Sequence, residues 1–352
     1  MADWSASMQQ SFEYYVVDPA TWKDVRRIDN VTSCTINRDS EADTLGSASF
    51  DITESVGECY IRSYLITIQN GVKEKHPLGT HLIQTPSSAF DGKIRKVSMD
   101  AYTPLLELKE NPPPIGYFVP KNSNVMDETY RLAREHARAP VISTDCSTLL
   151  YNDLVADTDD TWLSYLSYLM LNAKYEFGLD ELGRIIFLPK QDTASLQPVW
   201  TYDDSNSSIL YPDFTMDHDL YGIPNVVEVI YSNNNEFYYS RVENNDSNSP
   251  TSIQSRGREI LHRVTDPDLI GNPTQNQIHE YAERLLRELS SIEYTVSYTH
   301  GYCPVRIGDC VRINYKRAGI TDIKARVVSQ SIKCEPGCPV TETAVFTTKL
   351  WR

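Results

Sequence analysis

The chain has 352 residues, enough for two or three packed units, and 40 % of them are apolar, slightly below the roughly 45–50 % of typical domains. Its formal net charge of −15 argues against a general nucleic-acid binder, which needs Lys and Arg to neutralise phosphates, and against docking on anionic membranes. The start, Met1-Ala2-Asp3-Trp4-Ser5-Ala6, lacks the basic and apolar regions of a signal peptide, and the apolar run Trp162 to Ala173 is too short to span a bilayer.

The expectation is therefore a chain made and kept in a cytosol, at least at first. Its seven cysteines are then expected as reduced thiols rather than a disulfide framework.

The first hundred residues carry strand signals. Val31 to Arg38 alternates, with Thr32, Cys34, Ile36 and Arg38 on one face. Ala48 to Ile52 follows, then Tyr64 to Gln69 leading into Asn70-Gly71, a strong hairpin signal. His81 to Thr85 is a further strand, and Asp91-Gly92 a tight turn before Arg95 to Tyr102. Asn111-Pro112-Pro113-Pro114 interrupts the pattern, because three prolines cannot sit in a ladder and hold the backbone extended.

Beyond it the period becomes helical. Val125 to Ala137 is predicted helical, with Asn124 as cap and Asp127 and Glu128 in the first turn. A second helix starts near Asp160 or Thr161, its apolar stripe formed by Trp162, Leu163, Leu166, Leu169, Met170 and Ala173. Strand Tyr175 to Leu179, a turn at Asp180-Glu181-Leu182-Gly183, and strand Arg184 to Pro189 complete a small α+β insert.

Strands resume at Asn225 to Tyr231 and Glu236 to Val242, around a turn at Asn233-Asn234-Asn235. Asn244 to Pro250 is polar and expected to be a mobile loop. After Gly271-Asn272-Pro273 comes a long amphipathic helix, about 274–291, with Ile278, Tyr281, Ala282, Leu285, Leu286 and Leu289 on one face. Tyr294 to Tyr298, a turn at Ile307-Gly308-Asp309, Cys310 to Tyr315, Ile323 to Cys334 and Thr341 to Leu350 close the chain as strands. The expected fold is mainly β with an α+β insert, divided as 1–110, 111–200 and 201–352.

A catalyst should leave a constellation, and no nucleophile elbow, Walker loop or dinucleotide fingerprint is present. His279-Glu280-Tyr281-Ala282-Glu283 approaches the H-E-x-x-H zinc motif, but Glu283 replaces the second His on an ordinary amphipathic helix. Cys303, Cys310, Cys334 and Cys338 are the weak metal candidates. Their spacing departs from paired C-x2-C knuckles, and cysteine also serves as a small buried hydrophobe. The carboxylate pairs Asp159-Asp160, Asp180-Glu181 and Asp203-Asp204 sit where Asp favours local turn hydrogen bonds. The sequons at Asn30, Asn206 and Asn245 carry no weight without secretion. No cofactor is expected. The 22 Tyr, against 9 Phe and 5 Trp, suit half-buried sheets and wet protein interfaces.

Motif order adds a resemblance. Tyr14-Tyr15-Val16-Val17-Asp18-Pro19, Thr21-Trp22-Lys23-Asp24, Val31 to Ile36 and Leu45-Gly46-Ser47-Ala48 come first. Asp160-Thr161-Trp162, the Tyr175 to Pro189 hairpin and Tyr221-Gly222-Ile223-Pro224-Asn225-Val226-Val227 follow. Glu283 to Glu288 and Pro304 to Val311 end the series. In this order the chain resembles the bacteriophage tail baseplate hub family, including hubs of related tail-like particles.

The resemblance implies two tail-tube-like antiparallel β-barrel or sandwich domains plus the small α+β domain, the second barrel being completed by 201–352. It implies a non-enzymatic hub or adaptor, a homotrimeric ring joining a hexameric tail tube protein to a central spike or tip and passing DNA in transit without binding it specifically. The implied partners are further copies of itself, tail tube protein, spike, tip or tail fibre protein, distal tail or baseplate proteins and tape measure protein. The implied location is the virion tail baseplate, after assembly in the host bacterial cytoplasm. Acidic side chains along a bore would repel phosphates. The rival expectations are a tail-associated cell-wall hydrolase and a glycan- or receptor-binding tail module.

Overall fold

A computed structural model describes residues 2–53, 56–90, 95–191, 195–218, 221–232, 237–265, 267 and 273–349. The expected turns at Asp91-Gly92 and Asn233-Asn234-Asn235, and Gly271-Asn272, lie outside the described residues. The chain divides into two compact units, Met1–Phe214 with Tyr298–Ala344, and Thr215–Ser297 with Val345–Arg352.

The first unit opens with strands β1 (Gln9–Asp18), β2 (Lys23–Ile28), β3 (Val31–Asp39), β4 (Gly46–Ile52), β5 (Tyr60–Gln69), β6 (Val72–Phe90) and β7 (Arg95–Tyr102). Helix α1 (Leu106–Glu110), β8 (Phe118–Val119), α2 (Val125–His136), β9 (Leu154–Val155), α3 (Trp162–Leu171), β10 (Tyr175–Leu179), β11 (Ile185–Pro189) and β12 (Trp200–Asp203) follow. The chain leaves along β13 (Leu210–His218). The second unit holds β14 (Val226–Ser232), β15 (Phe237–Glu243), α4 (Ile253–Arg256), β16 (Leu261–Thr265) and α5 (Gln275–Leu289). The chain returns along β17 (Ser291–Gly301), adds β18 (Cys310–Asn314) and β19 (Ile323–Lys333), and leaves again along β20 (Pro339–Lys349).

The fold is mainly β, as expected. Its main sheet runs β13-β17-β20-β19-β3-β4-β7-β6-β5-β1-β2, with β18 also on β19 and β12 parallel to β18. The order is open: among the described strands no sheet closes into a barrel. The reason is the antiparallel pairing of β3 with β19, Ile36 opposite Ile332, which merges the early and late strands into one surface.

Local chemistry explains the elements. The alternation in β3 buries Cys34 and Ile36, which pack with Phe50, Ile61, Leu65, Met99 and Ile332. Asn70 and Gly71 both take positive φ, 51° and 78°, as a two-residue hairpin requires. Asn124 caps α2 by accepting from the amides of Met126 and Asp127. Thr161 caps α3 in a reciprocal box with Ser164.

The core formed by α2, α3 and the β10–β11 hairpin is continuous with Tyr60, Leu82 and Leu105, so the run Asn111–Pro114 does not separate two cores. Arg62, 4 % exposed, ties these layers together. It donates to Asp24 Oδ1 at 2.9 Å, Thr80 Oγ1 at 2.8 Å and the Leu182 carbonyl at 3.1 Å, linking β2 and β6 to the hairpin turn.

In the second unit, α5 packs Ile278, Ala282 and Leu286 on Val227, Val229 and Val242 of the sheet β15-β14-β16. Tyr239, Arg241 and Arg263 hydrogen-bond the buried Glu228 on these strands. In the segment expected to be a mobile loop, Asn244 to Pro250, residues 245–248 and Pro250 are exposed, while Asn244 and Ser249 are buried and joined by a hydrogen bond from Asn244 Nδ2 to Ser249 Oγ at 3.0 Å.

Gly46 starts β4 with φ +131°, and a Cβ there would lie 2.1 Å from the carbonyl oxygen of Asn37 on β3. Gly46→Ala should therefore lose roughly 2–4 kcal/mol of stability, read as a lower urea midpoint. An unchanged midpoint would show that β3 and β4 do not approach this way.

Candidate functional site

Strand and turn geometry separates most of the sequence candidates for chemistry and leaves Cys334 and Cys338 as neighbours. Cys303 lies 3.3 Å from the Tyr202 hydroxyl, Cys310 is buried on β18, Cys334 packs beside the core around Cys34, and Cys338 is buried past the turn that follows β19. Among the described residues no three His, Cys, Asp or Glu side chains come together as metal ligands, and all seven thiols are free. His279 and Glu283 form an exposed pair one turn apart, at 3.6 Å, while Glu280 faces outward. The carboxylate pairs act as turn acceptors: Asp180 takes the amides of Leu182 and Arg184, Asp160 the Ser164 hydroxyl, and Asp203 the Ser205 amide.

A constellation that sequence reasoning missed sits inside the first unit. His300 and Glu342 are completely buried, with Nε2 3.4 Å from Oε2. The Tyr202 hydroxyl lies 3.0 Å from the same Nε2, and the Tyr298 hydroxyl donates to Glu342 Oε1. Gln330 Nε2 donates to Glu342 Oε2 at 2.7 Å and to the Val305 carbonyl at 3.0 Å, and its Oε1 accepts from Arg38 at 3.0 Å.

Burial works against charge on the imidazole, but contacts with Cys303 and Glu342 outweigh it and raise His300 to about 10. Burial, reinforced by the Glu342 charge, pushes the Tyr298 and Tyr202 hydroxyls well above the ordinary tyrosine range. The signal was present in the strand alternation. Glu342 stands between buried Val340 and Ala344, and His300 follows Val296 and Tyr298, so each is polar at an inward position.

Cys303, His300 and Glu342 are the residue types of a nucleophilic triad, but the geometry is not that of one. The imidazole Nδ1 is 2.7 Å from the Gly301 carbonyl and 3.9 Å from Cys303 Sγ, so its proton is committed to backbone. Neither Cys303, at 2 % exposure, nor His300 can meet a substrate. The cluster is a buried charge network that holds β17, β19 and β20 in register.

What remains open to partners is sheet edge and surface. β2 ends the main sheet and exposes Lys23, Val25, Arg26 and Arg27, a basic strand in an acidic chain. β13, at the other end, carries Pro212 and exposes Tyr211, Asp213, Met216 and Asp217. The short β8–β9 ribbon sets exposed Phe118 opposite exposed Val155, with Ile115 97 % exposed nearby in the chain. No described helix is long and apolar enough to cross a membrane.

No protein-family model matches the chain, and no curated protein matches it by sequence. Among solved structures, the tail protein from Neisseria meningitidis MC58 superposes with a TM-score of 0.61 at 13 % identity, covering 97 % of this chain and 98 % of that one. The 43 kDa tail protein of prophage MuSo2 from Shewanella oneidensis gives 0.64 at 10 % identity over 96 % and 98 %. Prophage tail protein gp18 from Listeria monocytogenes EGD-e gives 0.51 at 13 % over 96 % and 95 %. The chain shares the fold of these tail proteins from end to end.

The His300 charge has a pH signature. Its value is raised in the folded state above the ordinary 6.5, so the stability it contributes is fully present below pH 6.5 and is lost as pH rises through about 10. The difference in unfolding free energy between wild type and His300→Gln should shrink across that window in urea titrations. A difference independent of pH would remove the charged imidazole.

Proposed function

We propose that the chain is a non-enzymatic structural hub of a phage tail or related tail-like particle. Three copies form a ring between a hexameric tail tube and a central spike or tip, and distal tail, fibre and tape measure proteins border it. The observation that carries this reading is the fold shared with two tail proteins over almost the whole of each chain. In this reading the protein resides in the virion tail baseplate, is assembled in the host cytoplasm, and passes DNA through its bore without binding it. The net charge of −15 supports that last element, since acidic walls repel phosphates.

Ring closure needs two different, mutually complementary surfaces on each copy. The basic edge β2, with Lys23, Arg26 and Arg27, and the acidic edge β13, with Asp213 and Asp217, supply such a pair. Copies that each carry −15 repel one another, so a locally positive strip favours association in the orientation that sets it against an acidic edge.

Size exclusion with light scattering, followed by electron microscopy, should give hollow rings of three copies. Lys23→Glu with Arg26→Glu should weaken assembly roughly tenfold or more, and Asp213→Lys with Asp217→Lys should restore it in the same chain. A strict monomer at every concentration and salt, with no affinity for tube or spike protein, would sink the proposal.

A further inference from the structure

We propose that Cys34 and Cys334 are an oxidisable cross-strand dithiol, which a small-molecule disulfide converts into a covalent link between the first and last β-rich regions of the chain. This rests on thiol geometry alone and is independent of the tail reading.

The register of β3 and β19 places Asp39 opposite Ser329 and Thr35 opposite Lys333, so the next pair is Cys34 opposite Cys334. The Cys334 amide donates to the Cys34 carbonyl at 2.9 Å, which keeps the two residues side by side one position past the end of β19. Residues directly opposed on antiparallel strands have Cα atoms roughly 4.5–5.5 Å apart, inside the roughly 4.4–6.8 Å that a disulfide spans. Directly opposed side chains leave a sheet on the same face, and both thiols belong to one core cluster.

The surroundings set the order of reaction. Cys34 is buried, 4.0 Å from the Ser63 hydroxyl, and burial together with the neighbouring Cys334 pushes its thiol well above the ordinary range. Cys334 is only half-buried and is the point of entry. Its thiolate attacks one sulfur of the external disulfide, forming a mixed disulfide and releasing one small thiol. Cys34 then gives up its proton and attacks the Cys334 sulfur, forming the protein disulfide and releasing the second small thiol. Two protein thiols are oxidised and one external disulfide is reduced to two thiols. The new bond closes a loop of about 300 residues, where the loss of unfolded-state entropy is large.

Cys338 is the competitor. It is buried in the same cluster, and its thiol is raised by burial and by the neighbouring Cys334. Its amide is held in the turn by the Glu335 carbonyl at 2.8 Å, which makes a link to Cys334 the alternative product.

The test incubates the full chain with glutathione disulfide, blocks residual thiols, and maps peptides without reduction. The expected result is a Cys34–Cys334 linked peptide and a melting temperature higher by roughly 5–15 °C than that of the reduced protein. Cys338→Ser should keep both effects and Cys34→Ser should lose both. A Cys334–Cys338 link as the main product would overturn the proposal. So would a glutathione adduct on Cys334 that never resolves, or a linked protein that melts no higher than the reduced one. The wild-type peptide map decides the question even where a variant folds poorly.

Discussion

The structure depends on one pairing, β3 against β19. Strands more than 280 residues apart in sequence meet there, and Arg38 of β3 stands directly opposite Gln330 of β19. From Gln330 the hydrogen bonding continues to Glu342, and from Glu342 to His300 and Tyr298. A chain of polar groups therefore crosses the core from an early strand to three late ones. Such a network is costly when any member is left unpaired, because the interior cannot solvate it. That cost gives it specificity: sliding β19 by one residue would take Gln330 away from Arg38 and turn Ile332 outward. The apolar cluster around Ile36 and Ile332 supplies attraction, and the polar chain selects the register.

The same logic holds at the next layer. Arg62 is almost completely buried, yet its guanidinium meets Asp24, Thr80, and the carbonyls of Trp22 and Leu182. Trp22 adds an indole hydrogen bond to the same Leu182 carbonyl. The turn between β10 and β11 is thereby fastened to the sheet by backbone acceptors. The helical segment is thus a layer of the first unit, sharing a core with the strands that precede it.

Local features were legible in the sequence because they are written locally. Asn124 before an acidic first turn, Asn70-Gly71 between alternating runs, and the stripe from Trp162 to Met170 each carry their cause within a few residues. The open sheet was not legible, since nothing near Ile36 names Ile332 as its neighbour. Glu342 was only half legible: its inward position follows from alternation, but its partners come from β17 and β19. The polar run after Asn244 was half legible: residues 245–248 face water, as their polarity suggests, but the burial of Asn244 and Ser249 at its ends comes from tertiary context.

Open sheets expose edges, and an edge is a template for uncontrolled pairing. Here the two ends of the main sheet differ in sign. A β2 edge meeting another β2 would crowd Lys23, Arg26 and Arg27, and two β13 edges would crowd Asp213 and Asp217. Pro212 further removes a donor from β13. Like-with-like pairing is thus penalised at both ends, and unlike pairing is not. Unlike pairing is heterologous, which yields either a closed ring or an open filament, whichever rotation each contact imposes. In the ring proposed above, a contact that excludes two-fold dimers and permits rotation about one axis is the constraint needed, and charges on the sheet edges would supply it without any change to the buried core.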